Sequence, residues 1–188
     1  MVDYSSPTIE NNNINNTFGG IKVNAGASPN ILRNEITNST YGIWIQDYFG
    51  VSNSGDRSID YNTIGNCNMG ILIRNGAGIK YTIVNNKFIG DSTNLQIEEN
   101  GHEIGINTFA FGSNYETDAS FDYSGAFNVA SVYSLPEMPT GVENIGKALN
   151  IANLIAGTWV NVTIYYNDAD LANPATEPYM KIWKYNGT

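Results

Sequence analysis

The stretches Ile9-Glu10-Asn11-Asn12-Asn13-Ile14, Ile31-Leu32-Arg33-Asn34-Glu35-Ile36, Ile59-Asp60-Tyr61-Asn62-Thr63-Ile64, Ile83-Val84-Asn85-Asn86-Lys87-Phe88 and Ile104-Gly105-Ile106-Asn107-Thr108-Phe109 decide the fold. All five read Ile-x-x-Asn-x-Ile/Phe. In the first four a second phrase begins at a fixed distance: Gly20-Ile21-x-Val23, Gly42-Ile43-x-Ile45, Gly70-Ile71-x-Ile73 and Asn94-Leu95-x-Ile97. The offset from Ile9 to Ile21 is 12 residues and recurs unchanged in the next three copies, whereas successive copies lie 22, 28, 24 and 21 residues apart. A constant interior with a variable connector is the signature of a stacked solenoid whose insertions fall in one loop.

The phrases are short, β-branched and alternating, which predicts strands; none carries apolar residues at helical spacing over ten positions. Stacked at about 4.8 Å per coil, like residues lie over like. Four apolar columns follow: Ile9/31/59/83/104, Ile14/36/64 with Phe88 and Phe109, Ile21/43/71 with Leu95, and Val23 with Ile45/73/97. A fifth column is Asn12, Asn34, Asn62, Asn86 and Asn107. A planar amide donates and accepts at once, so stacked copies can bond along the axis. Asn also tolerates the left-handed backbone of a tight bend.

The N-x-I phrase followed by G-I-x-[IV] resembles the right-handed parallel β-helix repeat of pectin-lyase-like and NosD-type proteins, over roughly residues 6 to 110. The resemblance implies a scaffold and says little of function. The expected fold is all-β: a right-handed parallel β-helix of about five coils over 1–115, then a small β-sandwich-like module over 116–188. In that second part Ala126 to Tyr133, Ala148 to Asn153, Thr158 to Tyr166 and Tyr179 to Tyr185 read as strands. Val160, Val162 and Ile164 alternate there with polar residues. The stretches from Trp159 and from Met180 resemble a module of secreted and cell-surface (S-layer-like) proteins of methanogenic archaea. The sandwich is expected to end early, because the chain stops at the turn signal Asn186-Gly187.

Composition narrows the function. Net charge is -9 with only 9 Lys and Arg, which argues against nucleic acid and anionic membranes as partners. No apolar run approaches the roughly 18 residues of a membrane span. The single cysteine, Cys67, cannot form an internal disulfide and reads as a small buried filler. Sequons at Asn15, Asn38, Asn161 and Asn186, with many Asn, Gly, Ser, Thr and Tyr, point to an extracellular or cell-surface location. Met1-Val2-Asp3 leads straight into the first coil, so the chain reads as a piece of a longer protein. Its uncapped first coil is expected to stack on another subunit or segment.

Three places carry candidate chemistry. Trp44 should face outward between Ile43 and Ile45, beside a long insertion containing Tyr48 and Phe49. These rings form either a carbohydrate platform or a loop folded over Trp44. Asp168 and Asp170 offer oxygens to calcium, although the spacing lacks the Gly and Glu of an EF-hand loop and suits a turn equally. His102, in Glu98-Glu99-Asn100-Gly101-His102-Glu103, has metal-ligand neighbours but no second His or Cys, and reads as an acidic turn. No other cofactor is expected.

Many parallel β-helices cleave acidic polysaccharides, so catalysis needs a direct check. Glu10 and Asp60 share an offset but stand two coils apart, about 9.6 Å, with Leu32 between them. That is the upper edge for an inverting glycosidase. No Asp-Asp pair, Gly-His-Gly or Arg-Ile-Lys phrase accompanies them. The expectation is a non-catalytic structural or adhesive module of an archaeal cell-surface protein, with carbohydrate or other surface proteins as partners. The alternatives are a carbohydrate-binding module or a fragment of a polysaccharide-active enzyme.

Overall fold

The computed structural model describes residues 6–24, 27–46, 57–74, 80–111, 115–132, 145–153 and 155–171. Four turns of three strands each form a parallel β-solenoid. The first holds β1 (Thr8–Glu10), β2 (Asn13–Asn15) and β3 (Gly19–Asn24). The second holds β4 (Asn30–Leu32), β5 (Glu35–Thr37) and β6 (Tyr41–Gln46), and the third β7 (Arg57–Asp60), β8 (Thr63–Gly65) and β9 (Met69–Arg74). The fourth holds β10 (Tyr81–Val84), β11 (Lys87–Ile89) and β12 (Thr93–Ile97). The register is the one the repeats predict: Ile9 pairs Ile31, Ile31 pairs Ile59, Ile59 pairs Ile83, and Ile83 pairs Ile104. Ile31, Ile36, Ile43, Ile59, Ile64, Ile71, Ile83, Phe88 and Leu95 have no solvent exposure, so the four columns fill one narrow core.

The bends explain the repeat. The left-handed residue is not the ladder asparagine but the one before it: Asn11, Arg33, Tyr61 and Asn85 all have φ between 54° and 57°. A second bend four residues after each ladder asparagine uses Asn16, Asn38 and Asn66, with Gly90 in the fourth turn. The ladder position instead needs a side chain that bonds across coils. The glycines near the start of the third strand in the first three turns, Gly20, Gly42 and Gly70, have a different cause. A Cβ on Gly42 would stand 2.5 Å from the Gly70 carbonyl oxygen and 2.7 Å from Ile64 Cγ2, so only glycine lets the coils approach there.

The fifth phrase joins the stack without forming a fifth turn. Its residues lie on one continuous strand, β13 (Glu103–Phe111), which pairs in parallel with both β10 and β11. The bend position is Ile106, which is exposed and has no positive φ. A β-branched residue is strongly disfavoured in the left-handed region, and a register shift between Ile104 and Asn107 takes the place of the bend. This is why the expected five coils become four turns and a closing strand.

The chain then reverses. β14 (Tyr115–Ser124) pairs antiparallel with β13, β15 (Phe127–Ser131) antiparallel with β12, β16 (Leu149–Asn153) with β15, and β17 (Trp159–Tyr165) with β14. The described strands of 116–188 therefore lengthen the two sheets of the solenoid, and Ala119, Phe121, Phe127 and Val129 close its core. A boundary at 115/116 falls inside β14, and the described strands beyond it pack as an end cap continuous with the β-helix. Phe121 stands edge-on to Phe109 at 5.8 Å and 5.7 Å from Phe127. Asn94 occupies the place of Gly70 in the last turn, where no parallel strand follows; its Oδ1 accepts from the Ser131 N–H and hydroxyl. The expected strand Tyr179 to Tyr185 lies outside the described residues.

Candidate functional site

The asparagine ladder is a continuous chain of hydrogen bonds. Each Oδ1 accepts from the backbone N–H and from Nδ2 of the asparagine in the preceding coil: Asn12 to Asn34 (3.1 and 2.9 Å), Asn34 to Asn62 (2.9 and 3.0 Å), Asn62 to Asn86 (3.0 and 2.9 Å), Asn86 to Asn107 (3.0 and 3.0 Å). The second amide hydrogen of Asn34, Asn62, Asn86 and Asn107 goes to the carbonyl of Ile9, Ile31, Ile59 and Ile83. These four asparagines are buried and their polar capacity is spent inside the stack. These four hold the scaffold and leave no amide group for a ligand.

One residue past the second bend, a shorter polar column runs Thr17, Ser39, Cys67, Asp91. The Thr17 and Ser39 hydroxyls lie 3.0 Å apart, and Cys67 N–H donates to Asp91 Oδ1 at 2.7 Å. Burial pushes the Asp91 carboxyl up to about 7 and the Cys67 thiol up to about 11. A thiol held protonated is a poor nucleophile, in keeping with the filler reading of Cys67.

Trp44 points outward, in the row Lys22, Trp44, Leu72, Gln96 across neighbouring strands. It is half-buried. Tyr41 lies against it at 4.8 Å, Phe18 approaches it edge-on at 6.3 Å, and the Lys22 ammonium sits 4.1 Å from its ring centre. Its indole Nε1 is buried and has no hydrogen-bond partner among the described residues. Tyr48 and Phe49 lie outside the described residues. The freely exposed ring of this cluster is Phe18, 68% exposed, which the sequence reading passed over.

The residue before Phe18, Thr17, lines an open groove of ≈ 400 Å³ together with Asn16, Asn38, Ser39, Thr40, Asn66 and Asn68. Every lining residue is neutral and polar. Its signal was present in the sequence as a second asparagine column, four residues after the first, at Asn16, Asn38 and Asn66.

The other candidates separate. Asp168 and Asp170 lie in a single 3-10 turn (Asp168–Asp170) capped by Asn167. Asp170 Oδ2 accepts the Asn167 N–H at 2.9 Å and pairs with Lys147 Nζ at 3.3 Å, and these bonds, the backbone one first, hold its carboxyl below the ordinary range. Glu10 and Asp60 do share a column with Leu32 between them. Glu10 lies 3.9 Å from Arg33, and Asp60 accepts from Asn85 Nδ2 at 3.0 Å. Among the sequons, Asn15, Asn38 and Asn161 are exposed, and Asn186 lies outside the described residues.

A family model described as "Periplasmic copper-binding protein (NosD)" matches residues 1–118. The chain belongs to the NosD family. The match spans the four turns and β13 and stops inside β14, so the NosD region is the parallel stack and the strand that closes it. No curated protein and no solved structure matches the chain significantly.

The family description raises copper, and the described residues of this NosD chain do not fit it. Copper sites are built from convergent imidazole and sulfur donors. His102 Nδ1 accepts the Tyr81 N–H at 3.1 Å, so its lone pair is taken, while Nε2 stands 3.2 Å from Glu99 Oε1. The Cys67 sulfur is buried in another part of the stack. Among the described residues no three His, Cys, Asp or Glu side chains converge. His102 instead pins the start of β13: its N–H donates to the Tyr123 hydroxyl at 3.3 Å, which donates to the Glu99 carbonyl at 3.1 Å. Among the described residues no helix is long and apolar enough to cross a membrane.

Proposed function

We propose that the chain is a non-catalytic structural or adhesive module of an exported protein, periplasmic or cell-surface, built as a stiff β-helix segment. The saturated ladder carries this reading: Asn34, Asn62, Asn86 and Asn107 spend their amides on neighbouring coils. Glu10 and Asp60, the one candidate acid pair, are each engaged by another side chain and separated by Leu32. An archaeal cell surface is the setting we favour for the parent protein. Among the described residues β1, β2 and β3 each have one strand neighbour, so that end accommodates a further coil of a partner or of the parent chain. Turnover assays on neutral and acidic polysaccharides, alongside sedimentation with envelope preparations, test the proposal. Envelope association without depolymerisation is the expected result. Depolymerisation abolished by Glu10→Gln or Asp60→Asn overturns it in favour of an enzyme.

Carbohydrate binding is a second reading, favoured by the exposed Phe18 ring and by a neutral polar groove whose lining includes the preceding residue, Thr17. Aromatic faces next to fixed hydrogen-bonding groups suit sugar rings. Calcium at Asp168 and Asp170 has less support, because the Asp170 carboxylate already serves as a cap.

A further inference from the structure

The groove that begins at Thr17 is lined wholly by neutral polar side chains. Its floor is the hydroxyl pair Thr17 and Ser39, bonded to each other at 3.0 Å. Its sides repeat amides at one per coil, at the bend positions Asn16, Asn38 and Asn66, with Thr40 and Asn68 alongside. The Asn15 and Asn38 amides bond to each other at 3.0 Å. By contrast, the side chains of Asn16, Asn66, Asn68 and Thr40 have no hydrogen-bond partner among the described residues, and the three asparagines are exposed. Their left-handed backbone fixes Asn16, Asn38 and Asn66 at φ of 55°, 53° and 54°, so the donors and acceptors are presented in a preset row. None of the seven lining residues carries charge, in a chain whose net charge is -9.

We propose that this groove binds a neutral glycan chain running along the stack axis, with amides and hydroxyls of successive coils meeting successive sugars and Phe18 stacking on a ring at the first-coil end. This rests on the carbohydrate-binding reading and narrows it in two ways. It puts the contact on the second-bend row instead of on Trp44, whose ring already faces Lys22. It also selects uncharged sugars, because a row without a cation has nothing to offset the desolvation of uronate carboxylates.

The test is binding of cellohexaose, mannohexaose and chitohexaose, with hexagalacturonate as the acidic comparison, followed by calorimetry and amide-resolved NMR on the whole chain. The variants are Asn68→Ala, Thr40→Ala and Phe18→Ala, together with Asn66→Gly, which keeps the left-handed bend available. Trp44→Ala and Asn161→Ala serve as comparisons, and circular dichroism checks that each variant folds. The expected result is binding of at least one neutral hexamer, weakened about tenfold by each groove variant and unchanged by Asn161→Ala, with shifts confined to the row. Preference for hexagalacturonate, or no binding to any neutral hexamer, overturns the proposal. Neutral binding lost in Trp44→Ala but kept in the groove variants overturns the groove while leaving carbohydrate binding standing. An intact mass showing hexoses attached at Asn38 in protein from its native host also overturns it, since the groove would then hold the chain's own modification.

Discussion

Asn62 Oδ1 accepts two hydrogen bonds from one residue, Asn34, 28 positions earlier: the backbone N–H at 2.9 Å and Nδ2 at 3.0 Å. A single oxygen thus ties both the main chain and the side chain of one coil to the next. Asn62→Ala leaves two buried donors of Asn34, the Ile31 carbonyl and one acceptance at Asn86 Oδ1 short of a partner. The expected loss is about 3 kcal/mol or more, since each orphaned buried group costs about 1–3 kcal/mol. Asn12→Ala, at the exposed end of the ladder, is expected to cost about 1 kcal/mol. Urea unfolding of both variants measures the contrast.

The bend before the ladder predicts a sequence rule that can be broken deliberately. Asn85 has φ of 56°, and its counterpart in the next copy is Ile106, where the bend is absent. Asn85→Ile is expected to destabilise by about 1–3 kcal/mol, whereas Asn85→Gly is expected to be close to neutral. Thermal unfolding of the two variants distinguishes backbone strain from loss of the exposed Asn85 to Asp60 bond, which both remove.

Gly70 is predicted to be irreplaceable for a steric reason. A Cβ there would meet the Asn94 carbonyl oxygen and stand 2.9 Å from Phe88 Cδ1. Gly70→Ala is expected to cost about 1–3 kcal/mol by overpacking, read as a lower urea midpoint. Gly157→Ala is the comparison for a glycine substitution without a clash: a Cβ on Gly157 meets nothing within 4 Å, although its φ of 82° carries its own strain.

Asp91 gives the fold a pH dependence of definite sign. Burial raises its carboxyl from the ordinary 3.8 to about 7, so the folded state favours the neutral acid. The associated stability is fully present below the unfolded value near pH 4 and is lost as pH rises through about 7, by an amount on the order of 4 kcal/mol. Asp91→Asn retains an acceptor for the Cys67 N–H and removes the charge. Its melting temperature is expected to exceed that of the unaltered chain at pH 8, with the difference shrinking toward pH 5. Melting curves across that range supply the check.

The parallel stack was legible because its determinants are local and repeated: Ile31, Ile59 and Ile83 align by counting alone, and the structure pairs them in that register. The ladder role of Asn34 and Asn62 was legible for the same reason. What misled was assigning the left-handed bend to the ladder asparagine. Arg33 and Tyr61 occupy that conformation, and neither residue type announces it. The end of the solenoid was hidden because it depends on single departures from the repeat, Ile106 in place of a bend residue and Asn94 in place of glycine. Strands β14 to β17 carry ordinary alternation, which does not say whether they found a new domain or extend an existing sheet. The second asparagine column at Asn16, Asn38 and Asn66 was less legible than Trp44, because no bulky apolar residue stands directly beside it in the chain.

The stacking of coils is tested most directly by methyl NOEs in a sample labelled at isoleucine methyls. Because Ile59 pairs with both Ile31 and Ile83, Ile59 methyls are expected to show contacts to each of them, with none linking Ile31 to Ile83 across two coil spacings of about 9.6 Å. Strong Ile31 to Ile83 contacts, or an Ile59 without cross-peaks to either neighbour, would contradict the stacked register.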